Sequence, residues 1–444
     1  MNKNFISTIM LQFISIAMFA QTDETRLVKP SDKHITYVGR INDSNPDRPT
    51  FTYPGTEIRT AFMGNSIAMK AKPHSGYFMV KIDENEPYKI GFLNDSIVTL
   101  CIEKNEHCCN IKDCCKGNYC SNNNDCSNNN DCSNNNDCSN NNDCCNLNDC
   151  CNLNDCCKGN IEQCDKSNGI IASSDSGAYL NKDLNGNGKY AHQLTITYIG
   201  EGYHTRPEFH GFILNNNTFL TSPAPLPSRK IEFIGNSITC GYGIEAADAS
   251  APYTEETANY YLTYAAKTAR WLKAQAYVVA RSGIGVYRNY NGPKTGDAVN
   301  MNTEYKYTML YDDSQLWDFT RFTPDVVCVN LGTNDTSTEG ADSTLLAKGF
   351  YNLYKQIRSH YPDAKIIFLS GCMMKGNALK MAKDAMDFTM RLALSNGDTN
   401  VYRLDFETHD GSLGYGASWH PSMKQHDVMA KQLTSYLKSI TKWE

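Results

Sequence analysis

Four short blocks in the second half of the chain carry the groups that acyl transfer needs. Gly235-Asn236-Ser237-Ile238-Thr239 offers a hydroxyl, and Ala280-Arg-Ser-Gly283-Ile-Gly285 offers flexible glycine amides. Asn330-Leu-Gly332-Thr-Asn334-Asp335 adds a carboxamide, and Trp419-His420-Pro421 adds an imidazole. A hydroxyl beside a base is a nucleophile, and amides with a carboxamide can donate to the oxyanion of a tetrahedral intermediate. Each block alone is ordinary, since a Ser after a strand is commonly a cap. Their order becomes chemistry only if the surrounding elements bring all four to one rim.

The elements around them can do that. Lys230-Ile-Glu-Phe-Ile-Gly235 reads as a strand, and Asp325-Val-Val-Cys-Val-Asn-Leu331 and Lys365-Ile-Ile-Phe-Leu369 read as strands covered on both faces. Apolar periodicity gives a helix over Ala258–Lys273, with Tyr261, Ala265, Thr268, Ala269 and Leu272 on its buried face. Further helices fit Ser343–His360, which Pro362 ends, and roughly 377–395 and 421–440. Alternating strand and helix predicts a three-layer parallel α/β sandwich, in which ligands bind beyond the carboxyl ends of the strands. All four blocks lie at such positions. No Gly-x-Ser-x-Gly elbow surrounds Ser237, which disfavours an α/β-hydrolase fold.

The first half has a different grammar. Ile35-Thr-Tyr-Val38, Ser66–Lys70, Tyr77–Ile82 and Gln193–Ile199 alternate apolar and polar residues between turn formers, as antiparallel strands do. They predict one β-sandwich over 21–228, joined through Pro223-Ala-Pro-Leu-Pro227 to the domain at 229–444. A tandem repeat at 101–165 interrupts the sandwich. Of the chain's 19 Cys, 16 lie between Cys101 and Cys164, many in units of Cys-Ser-Asn-Asn-Asn-Asp, and the three others are Cys240, Cys328 and Cys372. The tract carries a net charge of −7, leaving +1 of the chain's −6 for everything else. It holds too few apolar residues to bury a core. A tolerated loop expansion, a disulfide-stapled miniature domain and a metal site all fit it, although spacings of six do not match common paired-Cys zinc sites. Asp183-Leu-Asn-Gly-Asn-Gly188 resembles the start of a calcium loop, but Leu194 stands where a bidentate Glu belongs, so a turn is expected. With no basic excess, nucleic-acid binding is disfavoured. Met1–Ala20 reads as a secretory signal cleaved before Gln21, which predicts a secreted, extracellular protein with no membrane anchor after cleavage.

The blocks together resemble the SGNH (GDSL-type) hydrolase superfamily, and more specifically carbohydrate esterase family two. Tyr37-Val-Gly-Arg40 and Phe51-x-Tyr-Pro-Gly-Thr56 look like that family's N-terminal jelly roll. Ile231–Gly243 resembles its nucleophile block, and Trp317-Asp-Phe319 with Pro324–Asp335 resembles its third block. The likeness covers about 30–100 and 170–440. It implies a jelly-roll β-sandwich followed by an SGNH α/β domain. By that likeness Ser237 is the nucleophile, His420 its base, and the oxyanion donors are the amides of Ser237 and Gly283 and the side chain of Asn334. Gly285 is the alternative to Gly283. A side chain at Gly283 could block close approach. Trp419, Trp317 and Tyr287 are the expected sugar-contacting aromatics, with Tyr242 and Tyr290 as further contributors. Cys240, Cys328 and Cys372 read as structural thiols.

Two departures matter. Asn236 stands where the superfamily usually has Asp. Three residues before His420, where many SGNH enzymes carry Asp, this chain has Ala417. The expectation is a Ser237–His420 dyad with a backbone carbonyl near Ala417 or Ser418 orienting the imidazole, as members of the resembled family are known to manage without an acid. Asp405, Glu407 and Asp410 are the alternative orienters. Asn334-Asp-Thr336 is also a glycosylation sequon, like those at Asn42, Asn94 and Asn216, and is expected to stay unmodified because it folds into the site. The implied activity is removal of O-acetyl groups from plant polysaccharides, xylan or mannan, through an acetyl-seryl intermediate. No metal or organic cofactor is needed, and the protein is expected to act as a monomer. The alternatives are another SGNH lipase or thioesterase, or a catalytically weak carbohydrate-binding protein. Deleting residues 101–165 should leave acetate release within about threefold of the full chain. A loss of activity, with zinc found in the full chain, would give the repeat a role in the catalyst.

Overall fold

The computed structural model describes residues 24–100, 180–182, 188–202 and 206–444. The expected leader and the cysteine repeat lie outside the described residues. So does most of the turn read at 183–188, although the backbone on either side of it, Leu180–Lys182 and Gly188–Tyr190, pairs antiparallel.

The alternating segments build two antiparallel sheets, each with one face turned inward. One runs in the order Thr25–Val28, Phe209–Asn215, Ile67–Ala71, Ile97–Leu100. The other runs Phe219–Thr221, Glu57–Met63, His192–Tyr198, Gly76–Ile82, Tyr88–Phe92, with Thr36–Val38 also paired to Glu57–Met63. Ile58, Phe62, Met69, Phe78, Leu194, Ile196 and Phe212 fill the space between them. The strand before the repeat and the first long strand after it belong to opposite sheets of this one jelly-roll sandwich, so the tract interrupts a single domain.

From Arg229 the sheet is parallel. Its five strands stand in the order Ala274–Ala280, Arg229–Gly235, Val326–Asn330, Lys365–Ser370, Val401–Asp405. Val327, Val329, Ile366 and Phe368 face the helices Ser343–His360 and Gly376–Ser395 through Leu346, Phe350, Ala382 and Met386. Val326, Cys328, Ile367 and Leu369 face the helices Tyr264–Trp271 and Met423–Thr441 through Ala265, Ala269, Met429 and Leu433. Successive residues of one strand thus enter different cores, which is why these strands are apolar throughout. The helix expected over Ala258–Lys273 is shorter. A 3₁₀ turn at Tyr260–Leu262 precedes an α-helix at Tyr264–Trp271, because Thr263 is extended and its hydroxyl accepts from the Ala266 amide at 3.3 Å. Strand order reverses between the strands ending at Gly235 and Asn330, and a crevice opens beyond their carboxyl ends.

A buried ion pair joins the two domains. Arg40, just past the strand Thr36–Val38, reaches Glu232 in the strand Arg229–Gly235 at 3.2 Å, and neither side chain is exposed. Arg40 also donates to the Tyr305 and Tyr307 carbonyls, and Glu232 accepts from the Tyr305 hydroxyl at 2.7 Å. Burial pulls the Arg40 pKa down, but Glu232 and the neighbouring tyrosines more than reverse this, so Arg40 keeps its charge. Removing one partner of such a pair strands the other charge in the interior. Arg40→Met should therefore lower stability by about 3–5 kcal/mol in chemical denaturation, and Arg40→Met with Glu232→Leu by clearly less. Equal losses in the two variants would show that lost packing, and not the stranded carboxylate, sets the cost.

Candidate active site

Ser237 sits directly beyond the first strand of the parallel sheet, at the start of the short helix Ser237–Cys240. Asn236 caps that helix, its side-chain oxygen accepting from the Ile238 amide at 3.1 Å. Asn is as good an N-cap as Asp, so the departure at this position preserves the turn. Beneath it, the Thr239 hydroxyl meets the Tyr264 hydroxyl at 2.9 Å, and Asn330 donates to the same oxygen at 3.2 Å. Ser237 is 7% exposed, and the exposed part opens on a pocket of about 530 Å³.

His420 reaches Ser237 from the loop before the last helix. Its Nε2 lies 2.8 Å from Ser237 Oγ, and its Nδ1 lies 3.1 Å from the Ala417 carbonyl oxygen. The carbonyl can only accept, so Nδ1 carries the hydrogen and Nε2 is the free base facing the hydroxyl. The acidic alternatives are elsewhere. Asp405 pairs with Lys383 at 3.0 Å and with Arg403 at 3.1 Å, and Glu407 and Asp410 are exposed. The carbonyl is aimed by a tight loop in which Ser418 and Trp419 both have positive φ, 52° and 59°. Two consecutive left-handed non-glycine residues are costly and persist only where their surroundings hold them. Here the Ala417 amide donates to Gly243 and the Ser418 amide to Ala249, both at 3.0 Å. Tyr242 lies against the imidazole with ring centroids 4.4 Å apart, and Tyr253 stacks on Tyr242 at 4.2 Å.

The oxyanion candidates line the same pocket. Asn334 lies in the first turn of the short helix Thr333–Thr336, and its Nδ2 donates to the Ile284 carbonyl at 2.8 Å, which leaves a second hydrogen on that nitrogen. A glycan on this nitrogen would replace one of its two hydrogens, either breaking that bond or projecting from the other position into the pocket. Among the described residues the amides of Ser237 and Gly283 have no protein acceptor. Gly283 has φ +77°, yet a Cβ there would meet nothing within 4 Å. Its glycine is required by the backbone conformation, and crowding within the protein is not the reason. Gly285, the alternative, is excluded. A Cβ on it would sit 1.8 Å from the Arg288 carbonyl oxygen, and its amide is taken by Asn289 at 3.1 Å. Asp335, beside Asn334, holds this whole loop by accepting from the amides of Val286, Tyr287 and Arg288 at 2.9–3.1 Å.

Two expected sugar contacts need correction. Trp317 is 4% exposed and packs with Val38, Tyr277 and Phe322, under Arg40 and Arg321. It belongs to the domain junction. Tyr287 is 7% exposed in the core of the parallel domain, where its hydroxyl accepts from the Asp342 amide at 2.8 Å. The aromatic rim is instead Trp419, 61% exposed beside His420, and Tyr290, 57% exposed on the pocket lining. Glu201 was not singled out in the sequence. It comes from the sandwich, lines the pocket and accepts from Ser282. No sequence signal marks it, because its partners lie in another domain.

Residues 233–428 match the GDSL-like Lipase/Acylhydrolase family, and residues 37–108 match the Carbohydrate esterase 2 N-terminal family. An acetylxylan esterase / glucomannan deacetylase of Cellvibrio japonicus is 31% identical over 256 residues, covering 57% of this chain and 68% of that protein. The chain belongs to carbohydrate esterase family two. The cellulase/esterase CelE of Acetivibrio thermocellus is 39% identical over 262 residues, 59% of this chain, which spans about a third (32%) of that longer protein. A solved family two carbohydrate esterase from Clostridium thermocellum, in complex with cellohexaose, superposes with a TM-score of 0.67 at 28% identity, over 92% of this chain and 100% of that one.

Burial pulls the His420 pKa from its ordinary value down to about 4, against the Ala417 and Ser418 carbonyls, which raise it. A base must be neutral to act, so the acid limb of kcat/KM should fall near pH 4 and not near 6.5. Because the unfolded imidazole binds its proton near pH 6.5 and the folded one near 4, stability declines as pH falls through that window. The pH profile must therefore be taken on protein verified as folded by circular dichroism. A limb at 6.5 would mean that the imidazole is more solvated than its burial implies.

Proposed function

We propose that this chain is a secreted polysaccharide deacetylase. In this reading it removes O-acetyl groups from xylan, mannan or a related plant glycan through an acetyl-seryl intermediate. The observation that carries it is the 2.8 Å contact between His420 Nε2 and Ser237 Oγ in a pocket lined by Gly283 and Asn334. Ser237 Oγ attacks the acetyl carbonyl carbon as His420 takes its proton. The carbonyl oxygen becomes an oxyanion among the amides of Ser237 and Gly283 and the Asn334 carboxamide. Collapse breaks the bond to the sugar oxygen, which leaves with the proton from His420. Water then enters, gives a proton to His420 and attacks the acetyl-seryl carbonyl, and acetate departs as Ser237 recovers its proton.

The names of the relatives, acetylxylan esterase / glucomannan deacetylase and cellulase/esterase, support a glycan ester as substrate. The exposed rings of Tyr290, which lines the pocket, and of Trp419, next in sequence to His420, suit the faces of sugar rings. Secretion rests on the Met1–Ala20 leader and agrees with a polymeric substrate outside the cell.

Ser237→Ala should lower acetate release from acetylated xylan and glucomannan by about 10⁴-fold or more. In the wild type, activity on 4-nitrophenyl esters should drop steeply from acetate to octanoate. Full activity of the alanine variant refutes the assignment, and a preference for octanoate moves the enzyme to the lipases of its superfamily.

A further inference from the structure

Among the described residues, Glu201 is a buried carboxylate whose hydrogen-bond partner is Ser282, on the lining of the candidate active site. It follows the sandwich strand His192–Tyr198 and is 7% exposed. Its Oε2 accepts from the Ser282 amide at 2.6 Å, and its Oε1 accepts from the Ser282 hydroxyl. The Cys240 thiol lies near the same carboxylate and interacts with it electrostatically. Ser282 immediately precedes Gly283. Cys240 closes the short helix that begins with Ser237. One side chain from the sandwich therefore bonds to the residue before Gly283 and adjoins the helix of Ser237.

Burying a carboxylate is expensive unless it is paired and hydrogen-bonded. Here burial raises the Glu201 pKa, while the Ser282 bonds, the nearby Cys240 thiol and the charge of Arg281 pull it back. The sandwich side is fixed as well. The Ile199 carbonyl accepts from Tyr260 across the domain junction at 3.1 Å, and Gly202 donates to the Thr52 carbonyl at 2.8 Å.

We propose that Glu201 is a positioning residue of the esterase site, and that the sandwich completes the oxyanion hole through it. By occupying the Ser282 amide and hydroxyl, it turns the next amide, that of Gly283, toward the pocket. It also holds that amide in register with the amide of Ser237. This rests on the Ser237–His420 reading above. The role is distinct from substrate binding, because Glu201 acts through backbone that contacts the reacting atoms.

The test uses the full chain carrying Glu201→Ala, Glu201→Gln, Ser282→Ala or Ser237→Ala. Kinetics on 4-nitrophenyl acetate are measured beside inhibition by phenylboronic acid, which forms a tetrahedral adduct on a nucleophilic serine. Glu201→Ala should lower kcat by about 10²-fold, as loss of one oxyanion donor does, with KM within about twofold. Boronate affinity should weaken in parallel. Glu201→Gln should recover most of the rate, since its carboxamide oxygen can accept from the Ser282 amide while the Ser282 hydroxyl turns to accept from its nitrogen. Should Glu201→Ala not fold, Ser282→Ala, which removes one of the bonds, should lower kcat and boronate affinity together by a smaller factor. Unchanged kcat in folded Glu201→Ala or Ser282→Ala, or a raised KM with unaltered boronate affinity, overturns the proposal. An active Ser237→Ala variant overturns the underlying Ser–His reading instead, whatever the Glu201 variants do.

Discussion

The contact between Ser237 and His420 spans 183 residues of chain, and the fold must hold it to a few tenths of an ångström. At one end the parallel strand Arg229–Gly235 fixes Ser237 through a capped helical turn. At the other end His420 hangs on a loop with two left-handed residues. That loop is stitched to the segment just after the nucleophile by the bond from the Ala417 amide to Gly243. Imidazole and hydroxyl are thus referenced to the same stretch of backbone, at the strand-order reversal where an α/β sheet offers its crevice. The oxyanion groups are referenced to it from the two neighbouring strands.

Replacing the usual carboxylate by a backbone carbonyl changes the electrostatics as well as the geometry. A carbonyl fixes the tautomer and the ring plane as well as an Asp would. It offers only a dipole to the imidazolium that forms in the transition state, where a carboxylate offers a full charge. Burial lowers the His420 pKa, and the carbonyl bonds raise it by too little to reverse this. Such a base stays unprotonated over a wide pH range but gains less from taking a proton. On the proposed mechanism the barrier must then be lowered mainly at the oxyanion, where charge also develops and where Ser237, Gly283 and Asn334 line the pocket. This shifts the demand for precision from the acid–base pair to Ser237, Gly283 and Asn334.

What the sequence reveals follows from how local each determinant is. The parallel strands are legible because both faces are buried, so Val326–Asn330 and Lys365–Ser370 stand out as apolar runs. The long helix Ser343–His360 is legible because Asp342 caps it and Pro362 stops it. Three of the four blocks are legible because each directly follows a strand, whereas His420 lies in the loop between the last strand and the last helix. Aromatic residues are not legible in the same way. Trp317 and Tyr287 adjoin the motifs in sequence, but a ring beside a motif can turn to either side of its backbone. Both turn inward, Trp317 onto the guanidinium of Arg40 and Tyr287 into the sheet's helical layer. Glu201 is least legible, because its role is set by Ser282 and Cys240, 81 and 39 residues further along the chain, across a domain boundary.

The junction itself argues that the two domains are one catalytic unit. An interface between independent domains is usually polar and tolerant of motion. This one contains a fully buried Arg40–Glu232 pair whose charged groups would be left unpaired and desolvated by any sliding. It also contains a carboxylate, Glu201, whose partners all lie on the catalytic side. Glu232 belongs to the very strand that delivers Ser237, so the same strand is clamped in its middle by the sandwich and carries the nucleophile at its end. Near that end the sandwich intervenes a second time, through Glu201, on the helix of Ser237 and the loop of Gly283. Two fixed points on one short strand and its neighbour define an orientation, whereas one would leave a pivot. On the proposed Ser237–His420 reading the sandwich is therefore a structural part of the ester-cleaving site, independent of any contact it makes with polysaccharide.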